Sequence, residues 1–277
     1  MEQQTYDLKK FNDFLLLNKG LQEVTRNGHL RSISIVLKNI EEPTSENFRQ
    51  HVFWMYNQKY SNSHIVNTIK SIEYFSEFSG QVFNIVKIKR PKKLITDYLT
   101  EAEIGYMIRC AKDLREVSIV AFLSFSGVRN QEFCNLKVKD VDFGNNQVLI
   151  RQGKFSKDRR VNIGYRCTNV LIEYIMAYKK QPEDYLFTTI VNGNKYQTSD
   201  LRKFIRVIAK RAKINKRVFP HIFRHSLATN MILRGASILL VKEQLGHTDI
   251  QTTMNYIQRL PLQVIKTQYD YHIPAYM

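Results

Sequence analysis

Phe219-Pro220-His221-Ile222-Phe223-Arg224-His225-Ser226 opens a stretch that runs to Gln258 and decides how the chain is read. Pro220 stands where a first helical residue belongs, because the N–H it lacks is one that a helix start leaves unpaired anyway. His221 and Arg224 follow three residues apart, which puts both side chains on one helical face and assigns His225 to another. Phe223, Leu227, Met231 and Ile232 face a core until Arg234-Gly235 offers a stop. A second apolar run, Ile238 to Leu245, ends at Gly246-His247. Thr248-Asp249 can cap the next short helix, which carries Tyr256 nine residues after His247. Two histidines, an arginine and a tyrosine therefore gather at helix ends, a set suited to phosphate chemistry.

Upstream, Thr100 to Glu103 has the Thr-x-x-Glu spacing of a capping box and starts a new domain. Glu116 to Ser126 is apolar nearly all round, which predicts a central buried helix ended by Gly127. Arg129 follows at once. Glu132, three residues on, is close enough to orient its guanidinium, since an arginine at a buried junction must be paired. Gln147 to Arg151 and Arg160 to Gly164 read as a hairpin, with Lys154 and Lys157 at its turn. Arg166 to Tyr178 and Ser199 to about Ala212 read as amphipathic helices. Residues 202–217 carry eight Lys and Arg residues without one acid. Arg202, Arg206, Lys210 and Lys213 fall at helical spacing there, and such a single-sign face repels itself unless phosphates neutralise it.

Toward the N-terminus, residues 1–80 read as four helices: Tyr6 to Leu17, one capped by Thr25, one capped by Ser45, and one opened by Asn62 or Ser63. Arg26 and Arg31 lie among them, either meeting DNA or simply solvated. Val86 to Lys93 is a basic stretch broken by Pro91. Lys87, Lys89, Arg90, Lys92 and Lys93 make it a strap along DNA or a solvated tether. The chain thus divides into a helical domain (1–85), a basic linker (86–95) and a second domain (96–277).

Composition excludes several classes. At 277 residues the chain can bury two cores, and its net charge of +17, mostly beyond residue 90, favours a polyanionic partner. No apolar run approaches the roughly 18 residues of a membrane span, and no secretory signal opens the sequence, so the expected home is the cytoplasm. Cys110, Cys134 and Cys167 are too widely spaced for a zinc site and read as buried thiols. With no His-Glu-x-x-His and no phosphate-binding Gly-x-x-x-x-Gly-Lys loop, neither a metal nor a cofactor is expected.

Breaking a DNA phosphodiester without a metal needs a nucleophile, a base, an acid for the leaving oxygen and cations around phosphorus. Tyr256 can supply the phenol and Arg129 and Arg224 the planar cations. His221 suits proton acceptance, His247 donation to a phosphate oxygen, and Lys154 protonation of the leaving 5′ oxygen.

Ser126-Gly127-Val128-Arg129-Asn130-Gln131-Glu132, His221-Ile222-Phe223-Arg224-His225-Ser226, and Leu245-Gly246-His247 with Tyr256 resemble the signature boxes of the tyrosine recombinases, the phage integrase and Xer family. The resemblance spans essentially the whole chain. It implies a mainly α fold with a small antiparallel β-sheet, a helical core-binding domain and a mixed catalytic domain. It further implies that Tyr256 attacks the scissile phosphate to give a 3′-phosphotyrosyl link and a free 5′ hydroxyl. Arg129 and Arg224 would clamp the phosphate, His221 act as general base, His247 support the transition state, and Glu132 buttress the site. Lys154 matches the family's hairpin lysine, the general acid; Phe155 departs from the small residue usual after it, and Lys157 competes for the role.

The partners so implied are double-stranded DNA with specific recombination sites and a homotetramer assembled on it. The tail after Pro261 either docks on a neighbouring protomer or packs on its own domain. The helical region begins within a few residues of Met1, so no arm-binding domain is expected before it. Rival readings are a DNA-binding protein of the same fold without catalysis and a type IB topoisomerase.

Overall fold

Asp7 sets the first helix: its carboxylate accepts the N–H groups of Lys9 and Lys10, donors that a helix start leaves without partners. The computed structural model describes residues 7–85, 97–151, 158–190, 193–247, 249 and 253–254. The chain divides into two compact units, 1–94 and 95–277.

The first unit holds α1 (Leu8–Leu17), α2 (Glu23–Lys38), α3 (Ser45–Asn57) and α4 (Asn62–Ser79). Two starts differ from expectation and a third holds. Thr25 lies inside α2, whose first turn is tied back to α1 by Arg26 through Asn12 Oδ1 (3.1 Å) and Leu21 O (2.8 Å). Thr44 caps α3 in place of Ser45, whose hydroxyl accepts Asn84 N–H instead. Ser61 caps α4, which opens at Asn62 as expected. The unit closes around Phe11, Phe48 and Phe75, all fully buried. Each such side chain contributes about 1.5–3 kcal/mol by leaving water.

His51 is only 6% exposed in this core, and burial lowers its pKa. Above the unfolded value near 6.5 both folded and unfolded chains carry a neutral imidazole. Below it the unfolded chain takes up the proton first, so stability falls as pH drops through 6.5 toward the lower folded value. Trp54, the chain's one tryptophan, has its ring 5.5 Å from that of His51 and reports on this unit. Trp54 fluorescence melts at pH 5 should fall below those at pH 7.5, and by less in His51→Gln. An equal fall in the variant would remove His51 as the cause.

The second unit begins with α5 (Glu101–Arg109), where Thr100 and Glu103 form the expected reciprocal cap. Asp113 caps α6 (Leu114–Ser126) two residues earlier than its apolar run suggested, at Glu116 N–H (2.7 Å). Ile119, Val120, Phe122 and Leu123 are buried, and α6 packs on α5, α8 and α10 at the centre of the unit. After α7 (Asn130–Asn135) and a 3-10 turn (Val138–Asp140) comes an antiparallel sheet in the order β1 (Val141–Asp142), β2 (Gln147–Ile150), β3 (Arg159–Asn162). The register pairs Ile150 with Arg159 and Gln147 with Asn162. β3 starts at Arg159 and ends before Ile163, because Gly164 already opens α8 (Gly164–Ala177). α9 (Thr198–Arg211), α10 (Pro220–Leu233) and α11 (Ile238–Leu245) complete the described part. The fold is mainly α with one small antiparallel sheet.

Candidate active site

Gly127 ends α6 in the left-handed conformation (φ 62°), and a Cβ there would come within 2.8 Å of Leu227 and 2.9 Å of Leu245. A side chain would hold off α10 and α11, so glycine lets both helices close on this end. The freed carbonyls are then taken by Arg224 of α10. Its Nη1 donates to Gly127 O (2.6 Å) and its Nη2 to Leu245 O (2.7 Å), and the residue is 2% exposed. One guanidinium therefore joins the C-terminal ends of α6 and α11, where the helix dipoles are negative.

Arg129 precedes α7 and is held by the third residue of that helix, Glu132. The carboxylate accepts the Arg129 backbone N–H at Oε2 (2.7 Å) and Nη1 at Oε1 (2.8 Å), while Nη2 donates to Gly246 O (3.3 Å). Arg159, the first residue of β3, donates to the same two oxygens, Nη1 to Oε1 at 2.8 Å and Nη2 to Oε2 at 2.7 Å. The Glu132 side chain is 8% exposed, yet these bonds and charges overcome the burial that opposes them and hold its pKa down at about 2. It is a carboxylate at any working pH.

Gly246 caps α11 (φ 62°) and delivers His247, whose Nδ1 lies 2.8 Å from the hydroxyl of the buried Thr253. Burial first, then the charges of Arg224, Arg129, His225 and His221, lower the His247 pKa to about 4. The imidazole is thus neutral near pH 7, and the causes place four cationic or titratable neighbours around it. His221, in the first turn of α10, is exposed beside the buried Arg224. His225 does not point away from it: the two rings meet edge to face at 4.9 Å, as residues four apart on one helix do. His221 also lines a cleft of ≈ 460 Å³ with Asn130, Arg202, Arg206 and Arg217.

Arg129, Glu132, Arg224, His221 and His247 are therefore brought together by separate segments of the second unit. Lys154, Lys157, Tyr256, the tail beyond Pro261 and the linker cations Lys87, Lys89, Arg90, Lys92 and Lys93 lie outside the described residues. Arg202, Arg206 and Lys210 are exposed on α9, but Lys213 does not share their face: the helix ends at Arg211, and Lys213 has φ 48°. The acid-free run also finds acids from elsewhere, since Arg211 pairs with Glu116 and Lys216 with Glu103. In the first unit Arg31 is exposed beside Arg26, whose side chain is largely taken up in anchoring α2.

Arg217 is marked in the sequence only as part of the basic run, and three further contributors carry no mark there: Arg159, Thr253 and Gln244. The last, 6% exposed, donates to Asn162 O (2.7 Å) and Ser126 O (3.2 Å) and accepts Asn162 N–H (3.1 Å). It rivets α11 to β3 and to the end of α6. Among the described residues no group of His, Cys, Asp or Glu could hold a metal ion, and no helix is long and apolar enough to cross a membrane.

A cluster of guanidinium and imidazole groups on a mainly helical scaffold with one small sheet points to a protein of the DNA strand-transfer class. The chain belongs to the phage integrase family, whose model matches residues 97–262. It is a tyrosine recombinase, an enzyme that cleaves and rejoins DNA. A tyrosine recombinase of Thermosipho africanus is 32% identical over 203 residues, 70% of this chain and 70% of that one. Tyrosine recombinase XerA of Pyrococcus horikoshii is 30% identical over 251 residues, 90% of this chain and 87% of its own. A crystal structure of XerA recombinase superposes with a TM-score of 0.60 at 28% identity, covering 97% of this chain and 98% of that chain.

Proposed function

We propose that the chain is a site-specific recombinase in which Tyr256 attacks the scissile phosphate of double-stranded DNA. Its phenolic oxygen forms a bond to phosphorus on the 3′ side as the bond to the 5′ oxygen breaks. His221 accepts the phenolic proton, and Lys154 gives a proton to the leaving 5′ oxygen, with Lys157 the alternative donor. Attack by a 5′ hydroxyl of the partner strand reverses each step, so neither a metal nor a nucleotide cofactor is required.

The observation that carries this reading is the convergence of Arg129 and Arg224 on His247. Two fixed guanidinium groups suit the non-bridging oxygens of a pentavalent phosphorus. In the tautomer whose Nδ1 accepts from the Thr253 hydroxyl, the Nε2–H of His247 is the donor to a phosphate oxygen, and before DNA binds the ring is neutral near pH 7 because its pKa lies near 4. Glu132 orients Arg129 from behind. DNA approaches along the α9 face of Arg202, Arg206 and Lys210, while Arg31 of the first unit and the linker cations add further contacts to the duplex. Lys213 and Arg26 are left with at most a secondary part in this.

On DNA the protein works as a tetramer across two sites, in the cytoplasm. Related folds have been solved on DNA, among them a lambda integrase dimer bound to a core site, at a TM-score of 0.72 and 12% identity.

A nicked suicide duplex tests the reading, since the short fragment released after cleavage leaves the enzyme trapped on DNA. The wild-type protein should accumulate a covalent adduct, and Tyr256→Phe none while still shifting the duplex. An adduct of equal yield in the variant would move the nucleophile elsewhere. Strand exchange between two duplexes, rather than relaxation of a supercoiled circle, separates recombinase from topoisomerase.

A further inference from the structure

Arg159 lies outside every role assigned above, yet it touches both halves of the site. Its guanidinium grips Glu132 with two parallel bonds of 2.8 and 2.7 Å, and its side chain is only 16% exposed. Its stem runs directly over Gly246: a Cβ at that position would overlap Cδ and Nε of Arg159. Nε is buried and has no hydrogen-bond partner among the described residues, as expected where it lies flat against a glycine. Arg159 also opens β3, five residues after Lys154, so it stands where the hairpin returns from its turn.

We infer that Arg159 is a positioning residue that limits Glu132 to one side-chain bond with Arg129 and so keeps the rest of the Arg129 guanidinium available to the scissile phosphate. This inference rests on the proposed role of Arg129. Two guanidinium groups compete for the two oxygens of one carboxylate. Arg159 occupies both, which limits Arg129 to one side-chain bond and its backbone N–H. Without Arg159 the carboxylate, buried and ionised, would close on Arg129 as a two-armed pair and neutralise the charge meant for phosphate. The Arg159 stem also lies against Gly246, whose carbonyl receives the other arm of Arg129 and whose neighbour is His247. A lysine reaches the carboxylate with a single point of charge and cannot reproduce the parallel grip.

Single-turnover cleavage of the nicked duplex and duplex affinity by mobility shift are measured for Arg159→Ala, Arg159→Lys, Glu132→Gln and the Arg159→Ala/Glu132→Gln double variant. Arg159→Ala should cleave about 100-fold more slowly, the loss typical of a small misplacement of a clamping group, with affinity held within about threefold. Arg159→Lys should fall between, about 10-fold down, and it keeps the test open should the alanine variant fold poorly. In the Glu132→Gln background, removing Arg159 should cost no more than a few-fold, because the competition no longer exists. Wild-type cleavage in both Arg159 variants, an undiminished loss in the Glu132→Gln background, or affinity falling in step with cleavage would overturn the inference. Arg129→Ala is run beside them. Cleavage surviving that change defeats the reading of Arg129 itself, whereas cleavage lost there and retained in Arg159→Ala defeats only the role given to Arg159.

Discussion

Arg224→Lys should be both less stable and nearly inactive, with cleavage of the nicked duplex slowed about 1000-fold, as when a fixed donor to a developing anion is removed. The guanidinium has a structural task in the folded chain as well as a chemical one. Two of its nitrogens close the carbonyls of Gly127 and Leu245, and the residue is almost wholly removed from water. A lysine ammonium in the same tunnel can satisfy one of these oxygens at good geometry and strands the other. A buried acceptor without a donor costs about 1–3 kcal/mol. It also presents a point charge where two oxygens of a phosphate require a fork. Urea unfolding together with adduct formation measures both parts, and a lysine variant that cleaves at the wild-type rate would show that Arg224 acts only as a bolt between helices.

The second large effect is expected at Gly246. Its φ of 62° costs an alanine about 1–2 kcal/mol. The overlap with Arg159 adds to this, because that side chain is pinned at its far end by Glu132 and cannot swing aside without breaking the pair. Overpacking of this kind adds about 1–3 kcal/mol. Gly80 offers the control: it has φ 69°, and a Cβ added there would meet nothing within 4 Å, so Gly80→Ala bears the conformational cost alone. Gly246→Ala should therefore be the less stable of the two and should cleave about 100-fold more slowly through displacement of His247. Equal stability of the two variants would deny the overlap.

Much of this is legible in the sequence alone. The all-round apolar run of α6 and the Thr100–Glu103 cap are local properties, written within a few helical turns; the cap appears as read, and the buried helix appears where expected but begins two residues sooner. The ends of the helical first unit are less legible, since Thr44, Ser45, Ser61 and Asn62 are all chemically able to cap and only the backbone path selects among them. β1 is two residues long and has no pattern to read.

The basic run over 202–217 misleads for a different reason. Glu103 and Glu116, which neutralise Lys216 and Arg211, lie about a hundred residues upstream and are joined to them only by the fold. Lys213 leaves the helical face because α9 stops two residues before it. Arg159 is invisible on the same grounds: an arginine beside Arg160 in a short strand reads as surface charge, until Glu132 is found behind it.

Gln244 shows what such long connections mean for the birth of the enzyme. Its one amide binds residues 126 and 162, and Arg224 and Arg129 likewise bridge separations of 97 and 117 residues. Contacts so distant in sequence close late, after the local helices have formed and the loop entropy between them has been overcome. The DNA-attracting charges exist as soon as the chain is made, but the phosphate clamp exists only once α11 has docked on β3 and α6. A nascent or partly unfolded molecule can therefore hold DNA electrostatically while lacking the geometry to cut it, so that competence to break the strand is itself a checkpoint on complete folding.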